Sequence, residues 1–335
     1  MRTTAAVLTA PGSPFELRER ELGAPGPGEV LVRLVATGVC HTDLVTAASG
    51  GPAEVLGHEG AGVVEALGGG VTAVERGDHV ILSFAWCGAC ANCERDRMAY
   101  CEDFLRLNYY GPRFFGQSSF ATHTVTSERN LVRVGQDLPL ELLAPFGCGV
   151  QTGAGLILNV LKPEAGSTIA VFALGAVGLS AVMAARIAGC DRIVAVDPNP
   201  ERRALALDLG ATEAVAPAQA PVNALDYSVE CIGHAEVVQA AVRSLAKPGM
   251  CVTAGFQGVK NPVELDQVQL MNGRGIRGSI EGDSIPQRFI PQLIRYYRQG
   301  RLPVDRLIRT FPFAEINEAA AAARRGEVVK PVLVF

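Results

Sequence analysis

The chain has 335 residues, of which 48% are hydrophobic and 19% charged, with 37 glycines. That length suits about two domains, and the composition fits an α/β protein with ample core. A formal net charge of −4 gives no reason to expect nucleic acid or an anionic membrane as partner.

Met1 is followed by RTTAAVLTAPGSPFE, too short and too soon broken by proline for a signal peptide. The first part then reads as β structure. AAVLTA, FELRERE, EVLVRLVATGV, AGVVEALG and DHVILSF are short runs rich in valine and leucine. APGPG, GGG and RGD punctuate them, so turns are expected often and helices are not.

Within this part GVCHTDLVTAASGGPAEVLGHEGAG places Cys40 and His58 eighteen positions apart. A lone cysteine and histidine are ordinarily core or surface residues. Asp43, however, lies close enough in sequence to accept the second imidazole N–H and fix its tautomer. A third candidate ligand, Cys148, stands in PFGCGVQTGAG, where the β part ends. Two sulfurs and one nitrogen leave a fourth position open, the pattern of a catalytic zinc.

Cys87, Cys90, Cys93 and Cys101 give a second cluster. Their short spacings let four thiolates wrap one tetrahedral zinc, closed to substrate and therefore structural. With nine cysteines and no export signal, metal binding is favoured over disulfides, and the reducing cytoplasm is the expected compartment. Phe84 and Trp86 precede this cluster. Either they line an apolar substrate pocket or they pack the lobe, a choice that favours packing for Trp86 and stays open for Phe84.

Thr168 to Gly189 is apolar enough to raise a transmembrane reading, but Gly175 and Gly178 at its centre favour a buried strand, a tight turn and a packed helix. Strand and helix patterns then alternate: RIVAVD and PERRALALDLG, LDYSVECIG and AEVVQAAVRSLAKPG, then MCVTAG. Such βα units predict a parallel, doubly wound sheet. The turn FALGAVGLS carries Ala173, Gly175, Ala176, Val177 and Gly178 where a dinucleotide fingerprint places its glycines. Gly175 lets the backbone approach a pyrophosphate and Gly178 permits close packing. Ala173 replaces the first glycine, so the turn must avoid positive φ there or bear strain. Taken alone the motif is weak, with a plain βα turn as its lesser alternative. Asp197, nineteen residues after Gly178, is placed to accept the ribose hydroxyls and to repel a 2′-phosphate, which favours NAD. Arg202 and Arg203 either offset that repulsion or form a solvated helix face. An amphipathic helix, IPQRFIPQLIRYYRQG, and a tail of strand, helix and strand complete the chain.

GHEGAGVVEALGGGV, the four-cysteine lobe, GCGVQTGAG and FALGAVGLS with VDPNPERRA together resemble the zinc-containing medium-chain alcohol dehydrogenases over essentially the whole chain. GVCHTD, FFGQSSFATH and FGCGVQTGAG are similar to their aryl-alcohol (benzyl-alcohol) branch, which includes enzymes for allylic terpene alcohols. The resemblance implies a GroES-like β-rich catalytic domain over residues 1–150, carrying the structural zinc lobe at 87–101. A Rossmann NAD-binding domain over 151–283 and a return to the first domain over 284–335 follow, with the active site in the cleft between domains.

It further implies that Cys40, His58 and Cys148 hold a catalytic zinc and that Glu59 is a carboxylate able to approach it. Thr42 takes the alcohol proton and His41 faces the coenzyme phosphates. Thr152 and Val177 pack on the nicotinamide; Ile232, Ala254 and Phe256 line the coenzyme cleft; Lys330 reaches the pyrophosphate. The implied reaction is reversible oxidation of a primary aromatic or allylic alcohol to its aldehyde, by hydride transfer to NAD in a homodimer or homotetramer. Val45 stands where many relatives carry a relay histidine, and segments 44–56 and 102–114 look short. Two rivals remain: a thiol-dependent formaldehyde dehydrogenase, with only His41 and Arg106 as candidate rim cations, and a zinc- and NAD-binding protein without turnover.

Overall fold

A computed structural model describes every residue except Pro52 and Val259. The chain divides into two compact units. One comprises Met1–Cys148, Ile285–Ile294 and Val304–Phe335, the other Gly149–Ser284 and Arg295–Pro303.

The first unit is β-rich. β1 (Arg2–Leu8) and β2 (Phe15–Glu21) form an antiparallel pair. The larger sheet uses β3 (Glu29–Gly38), β4 (Gly60–Leu67), β5 (His79–Leu82), β6 (His123–Ser127), β7 (Leu131–Val134), β14 (Ile308–Pro312) and β15 (Lys330–Val334). Its order is β14-β15-β3-β4-β5-β7, with β6 pairing on β3. The short valine-rich strands are buried on both faces over much of their length: β3 buries Val30, Leu31 and Val32 in succession, and β5 buries Val80, Ile81 and Leu82. Val30, Val32, Leu34, Val64, Val80 and Leu82 pack as one cluster, and a larger one gathers Phe84, Phe114, Phe115 and Phe120.

Two pairings position the candidate ligands. Antiparallel β3 and β4 set Thr37 opposite Gly60, so the chain leaving β3 and the chain entering β4 are neighbours. β15 adds to β3 with Val332 opposite Gly38.

The second unit holds β8 (Thr168–Phe172), β9 (Arg192–Val196), β10 (Glu213–Val215), β11 (Leu225–Glu230), β12 (Leu245–Thr253) and β13 (Arg274–Gly278). All neighbours are parallel, in the order β10-β9-β8-β11-β12-β13. The winding reverses between β8 and β11, the doubly wound Rossmann arrangement. The apolar run 168–189 is β8, a turn and the helix Ala176–Ala188, whose residues Gly178–Ala185 are all buried. Burial of the helix inside a protein explains its composition; among the described residues no single helix is long and apolar enough to cross a membrane.

The first part is not free of helix, contrary to the pattern of turn signals. His41–Ser49 is helical, with Cys40 as its N-cap. Cys40 N–H donates to the Asp43 carboxylate, so the third helical residue folds back to satisfy an N-terminal amide. Phe104–Asn108 and Leu140–Leu143 are shorter helical turns. Helices of one or two turns present too few periods to rise above the surrounding turn residues.

Candidate active site

Asp43 organises the first cluster. Its Oδ2 accepts from Cys40 N–H at 2.9 Å, while Oδ1 accepts from Gly57 N–H at 3.1 Å. The same Oδ1 lies 2.8 Å from His58 Nδ1. One buried carboxylate thus ties together the two chain segments that β3 and β4 bring side by side, and directs the Nδ1 proton toward itself. His58 Nε2 is left as the acceptor nitrogen, buried and with no hydrogen-bond partner. Ligand atoms of Cys40, His58, Glu59 and Cys148 all lie within 4.8 Å of one another. An orphaned imidazole nitrogen aimed among two sulfurs and a carboxylate has the donor set and tautomer a zinc ion needs.

The electrostatics agree. The Cys40 thiol is held well below its ordinary value, first by its hydrogen bond with Cys148, against burial, and further by the charges of Lys330 and His58. Burial pushes Glu59 up to about 7, with Lys330 opposing the rise.

Lys330 is buried in the first unit, with its ammonium 2.8 and 2.9 Å from the two Glu59 oxygens. The cause is the β15–β3 pairing, which sets Lys330 beside Val39 and Cys40. Desolvation works against its charge, yet Glu59, and after it Cys40, keep the Lys330 pKa above the usual lysine value. Gly38 makes the arrangement possible, because a Cβ there would overlap the Glu59 carboxylate.

Aromatic rings enclose His58. Phe115 stacks on it at 4.4 Å between centroids and 25°, and Phe114 meets it edge-on at 5.5 Å. Phe115 holds φ +52°, an outlier for a bulky residue. Phe84, Trp86 and Phe104 continue the cluster. Phe84 is 1% exposed and Trp86 9%, so both rings are packed into the lobe's core. Gln117, inside FFGQSSF, has a role that its sequence context does not signal. Its amide accepts from Gly60 N–H and donates to His58 C=O, fixing the ligand segment from both sides. Thr42 and Val45 are half-buried on the helix after Cys40, and His41 is exposed. Arg106 is paired with Asp103 at 2.9 Å.

The second cluster is compact. Sulfurs of Cys87, Cys90, Cys93 and Cys101 lie within 4.8 Å of one another. Backbone N–H groups of Ala89 and Cys90 point at Cys87 Sγ, and that of Cys87 at Cys101 Sγ. Glu102 N–H bears on Cys90 and is the first cause holding that thiol down to about 6, whereas burial pushes Cys93 up to about 12. Four convergent sulfurs met by N–H donors fit one tetrahedral zinc.

In the second unit the fingerprint turn takes its strained form. Ala173 adopts φ +69°. A Cβ on Gly178 would run into the Ala173 carbonyl, whereas one on Gly175 would meet nothing within 4 Å. The helix that begins after Gly175 has no side-chain cap, so its first N–H groups stay available to an anion. Asp197, at the end of β9, accepts from Leu174 N–H at 2.7 Å and Asn199 N–H at 2.8 Å, coupling it to the turn. Arg202 has its Nε buried without a partner, while Arg203 donates to the Asp197 and Pro198 carbonyls. Ala176, Val177, Ile232, Ala254 and Phe256 are half-buried in this unit, and Thr152 donates its hydroxyl to Glu281. Open glycine, uncapped helix and strand-end carboxylate together fit a dinucleotide.

Comparison with known proteins agrees with this geometry. The family model for the alcohol dehydrogenase GroES-like domain matches residues 26–136, and that for the zinc-binding dehydrogenase matches 176–297. A geraniol dehydrogenase of Castellaniella defragrans is 42% identical, covering 99% of this chain and 97% of its own. A benzyl alcohol dehydrogenase from Acinetobacter calcoaceticus superposes with a TM-score of 0.97 at 39% identity, covering 100% and 99% of the two chains. An S-(hydroxymethyl)glutathione dehydrogenase of Escherichia coli is 34% identical over the full length of both.

Proposed function

The chain belongs to the zinc-containing medium-chain alcohol dehydrogenases, on their aryl-alcohol-like branch, and on that premise we propose that it oxidises a primary aromatic or allylic alcohol to its aldehyde. Its cofactors are NAD and zinc. The observation that carries the reading is His58 Nε2, buried and unpartnered among the sulfurs of Cys40 and Cys148 while Asp43 holds Nδ1.

In this reading Cys40, His58 and Cys148 hold the catalytic zinc, and Cys87, Cys90, Cys93 and Cys101 the structural one. When bound, the catalytic zinc would supply Lewis acidity toward the alcohol hydroxyl and NAD a hydride acceptor. Thr42 takes the hydroxyl proton. Val45, half-buried on the same helix, has no group to pass that proton on, so a residue other than the one at this position or solvent would have to receive it from Thr42. Glu59 and Lys330 keep a near-neutral carboxylate pair beside two thiolates. Asp197 accepts the ribose hydroxyls and disfavours a 2′-phosphate, with Arg202 beside it. The similarity to the geraniol and benzyl alcohol dehydrogenases supports an apolar allylic or aromatic substrate over ethanol. Partners are the alcohol, its aldehyde and further copies of the chain; nine unbridged cysteines suit a cytoplasmic setting.

The second reading, action on a formaldehyde–thiol adduct, is favoured by the 34% identity to the glutathione-adduct enzyme. The test is NAD reduction by zinc-loaded protein with benzyl alcohol, geraniol, ethanol, or formaldehyde plus glutathione. A kcat/KM for benzyl alcohol or geraniol far above that for ethanol is expected. Turnover only with formaldehyde and thiol together would overturn the aryl reading in favour of the second.

A further inference from the structure

In an open parallel sheet the ligand lies beyond the C-terminal strand ends where the winding reverses. Here that crevice falls between β8 and β11. The fingerprint turn after β8 forms one wall. The turn Cys231–Gly233 after β11 forms the other, fastened to β8 by Cys231 N–H donating to Phe172 C=O at 3.1 Å.

The second turn is held together almost wholly by side chains. Ile232 N–H and Gly233 N–H both donate to Glu230 Oε1, each at 2.6 Å. Ile232 C=O accepts from Gln257 Nε2 at 2.8 Å, and Gly233 C=O from Asn261 Nδ2 at 2.6 Å. Glu230 Oε2 accepts from Thr253 Oγ1 at 2.8 Å, so the same carboxylate also joins the end of β12. Gly233 sits at φ +87° against Gly255, with no room for a Cβ on either. Glu230 itself has no solvent exposure. Burying a carboxylate is costly unless charge-assisted hydrogen bonds satisfy it. Here three donors do so, and all three belong to the crevice wall.

We propose that Glu230 is a positioning residue for the coenzyme: through Ile232, Gly233 and Thr253 it fixes the β11–β12 wall of the dinucleotide crevice in its binding geometry. Glu230 does not touch the coenzyme. It acts by presetting the turn, so that binding does not have to order it. The proposal rests on the reading of this chain as NAD-dependent.

Direct NAD titration by calorimetry on the zinc-loaded protein tests it without any alcohol. Glu230→Gln keeps an acceptor oxygen but removes the charge, and charge-assisted hydrogen bonds are about twice as strong as neutral ones. Its NAD Kd should rise ~10-fold, with zinc content and alcohol KM unchanged. Asn261→Ala, which releases only the Gly233 carbonyl, should raise Kd ~5-fold. Ser228→Ala is the control for a purely structural loss. Its Oγ donates to Ala241 C=O from the same strand, away from the turn, and should lower the melting temperature without changing NAD Kd. Native Kd in both Glu230→Gln and Asn261→Ala overturns the proposal alone. So does a rise in Kd matched by an equal rise in alcohol KM. Absence of NAD affinity in the native chain overturns the coenzyme reading and the proposal with it.

Discussion

Replacing Lys330 by methionine keeps the aliphatic stem and removes the cation. In the native protein the ammonium makes two bonds to Glu59, at 2.8 and 2.9 Å, with side-chain exposures of 4% and 0%. Removing one partner of a buried pair strands the other charge and costs roughly 3–5 kcal/mol. Glu59 responds by keeping a proton. Its folded pKa is about 7 even with Lys330 opposing the rise, and losing Lys330 moves it higher. A folded pKa above the unfolded one means that folding binds a proton, so stability falls as pH climbs from the unfolded value toward the folded one. The native protein stops losing stability from this group near pH 7. Lys330→Met continues to lose roughly 1.4 kcal/mol per pH unit above it. Glu59→Gln in the Lys330→Met background should recover about 2 kcal/mol or more, since both charges are then gone. Denaturant unfolding followed by fluorescence suits the measurement, because Trp86 is the sole tryptophan and lies in the same unit. Single and double variants are compared at pH 6 and pH 8 with zinc in excess. If the two single effects add within ~0.5 kcal/mol, Lys330 and Glu59 are not coupled and the reasoning is wrong.

Asp43→Asn cannot hold the Nδ1 proton as a carboxylate does, so zinc affinity at the first cluster should fall ~10- to 100-fold in chelator competition, with the four-cysteine site unaffected. Ala173→Gly removes left-handed strain of roughly 1–2 kcal/mol, against roughly 0.4–1 kcal/mol for the freer unfolded chain. A small gain in the unfolding midpoint by circular dichroism is expected, and Ala173→Val should lower it. Burial holds Cys190 up to about 11, while burial and then Glu230 push Cys231 well above the ordinary thiol value; burial likewise takes Cys251 to about 12. A thiol at about 11 is only about a thousandth ionised at pH 8. Alkylation with mass-spectrometric mapping should leave all three unlabelled in the native protein at pH 8, and chelation should expose the zinc cysteines first.

The sequence by itself determined what is local. Four cysteines within fifteen positions converge because a short chain can wrap one ion, and the fingerprint turn with its following helix is one continuous segment. Asp197 follows at the span of one βα unit. At Ala173 the missing glycine left two outcomes open, a turn that avoids positive φ or one that bears strain, and the fold takes the second.

Tertiary structure decided everything that depends on strand pairing. Cys40 and His58 meet because β3 and β4 pair in a register that sets Thr37 opposite Gly60. No spacing in the sequence specifies that register. Asp43 could be suspected as the imidazole's partner, but not its grip on three groups across two segments. Gln117 stands inside FFGQSSF with no local sign of its role, since its side-chain bonds run to residues 34 to 59 positions away. Lys330 shows the limit most plainly. Nothing in GEVVKPVLVF signals that its ammonium pairs with Glu59, 271 positions away, a contact that exists only because β15 pairs with β3. Chain proximity fixes the contacts within a turn, whereas burial, sheet register and the need to neutralise a desolvated carboxylate fix those between distant strands.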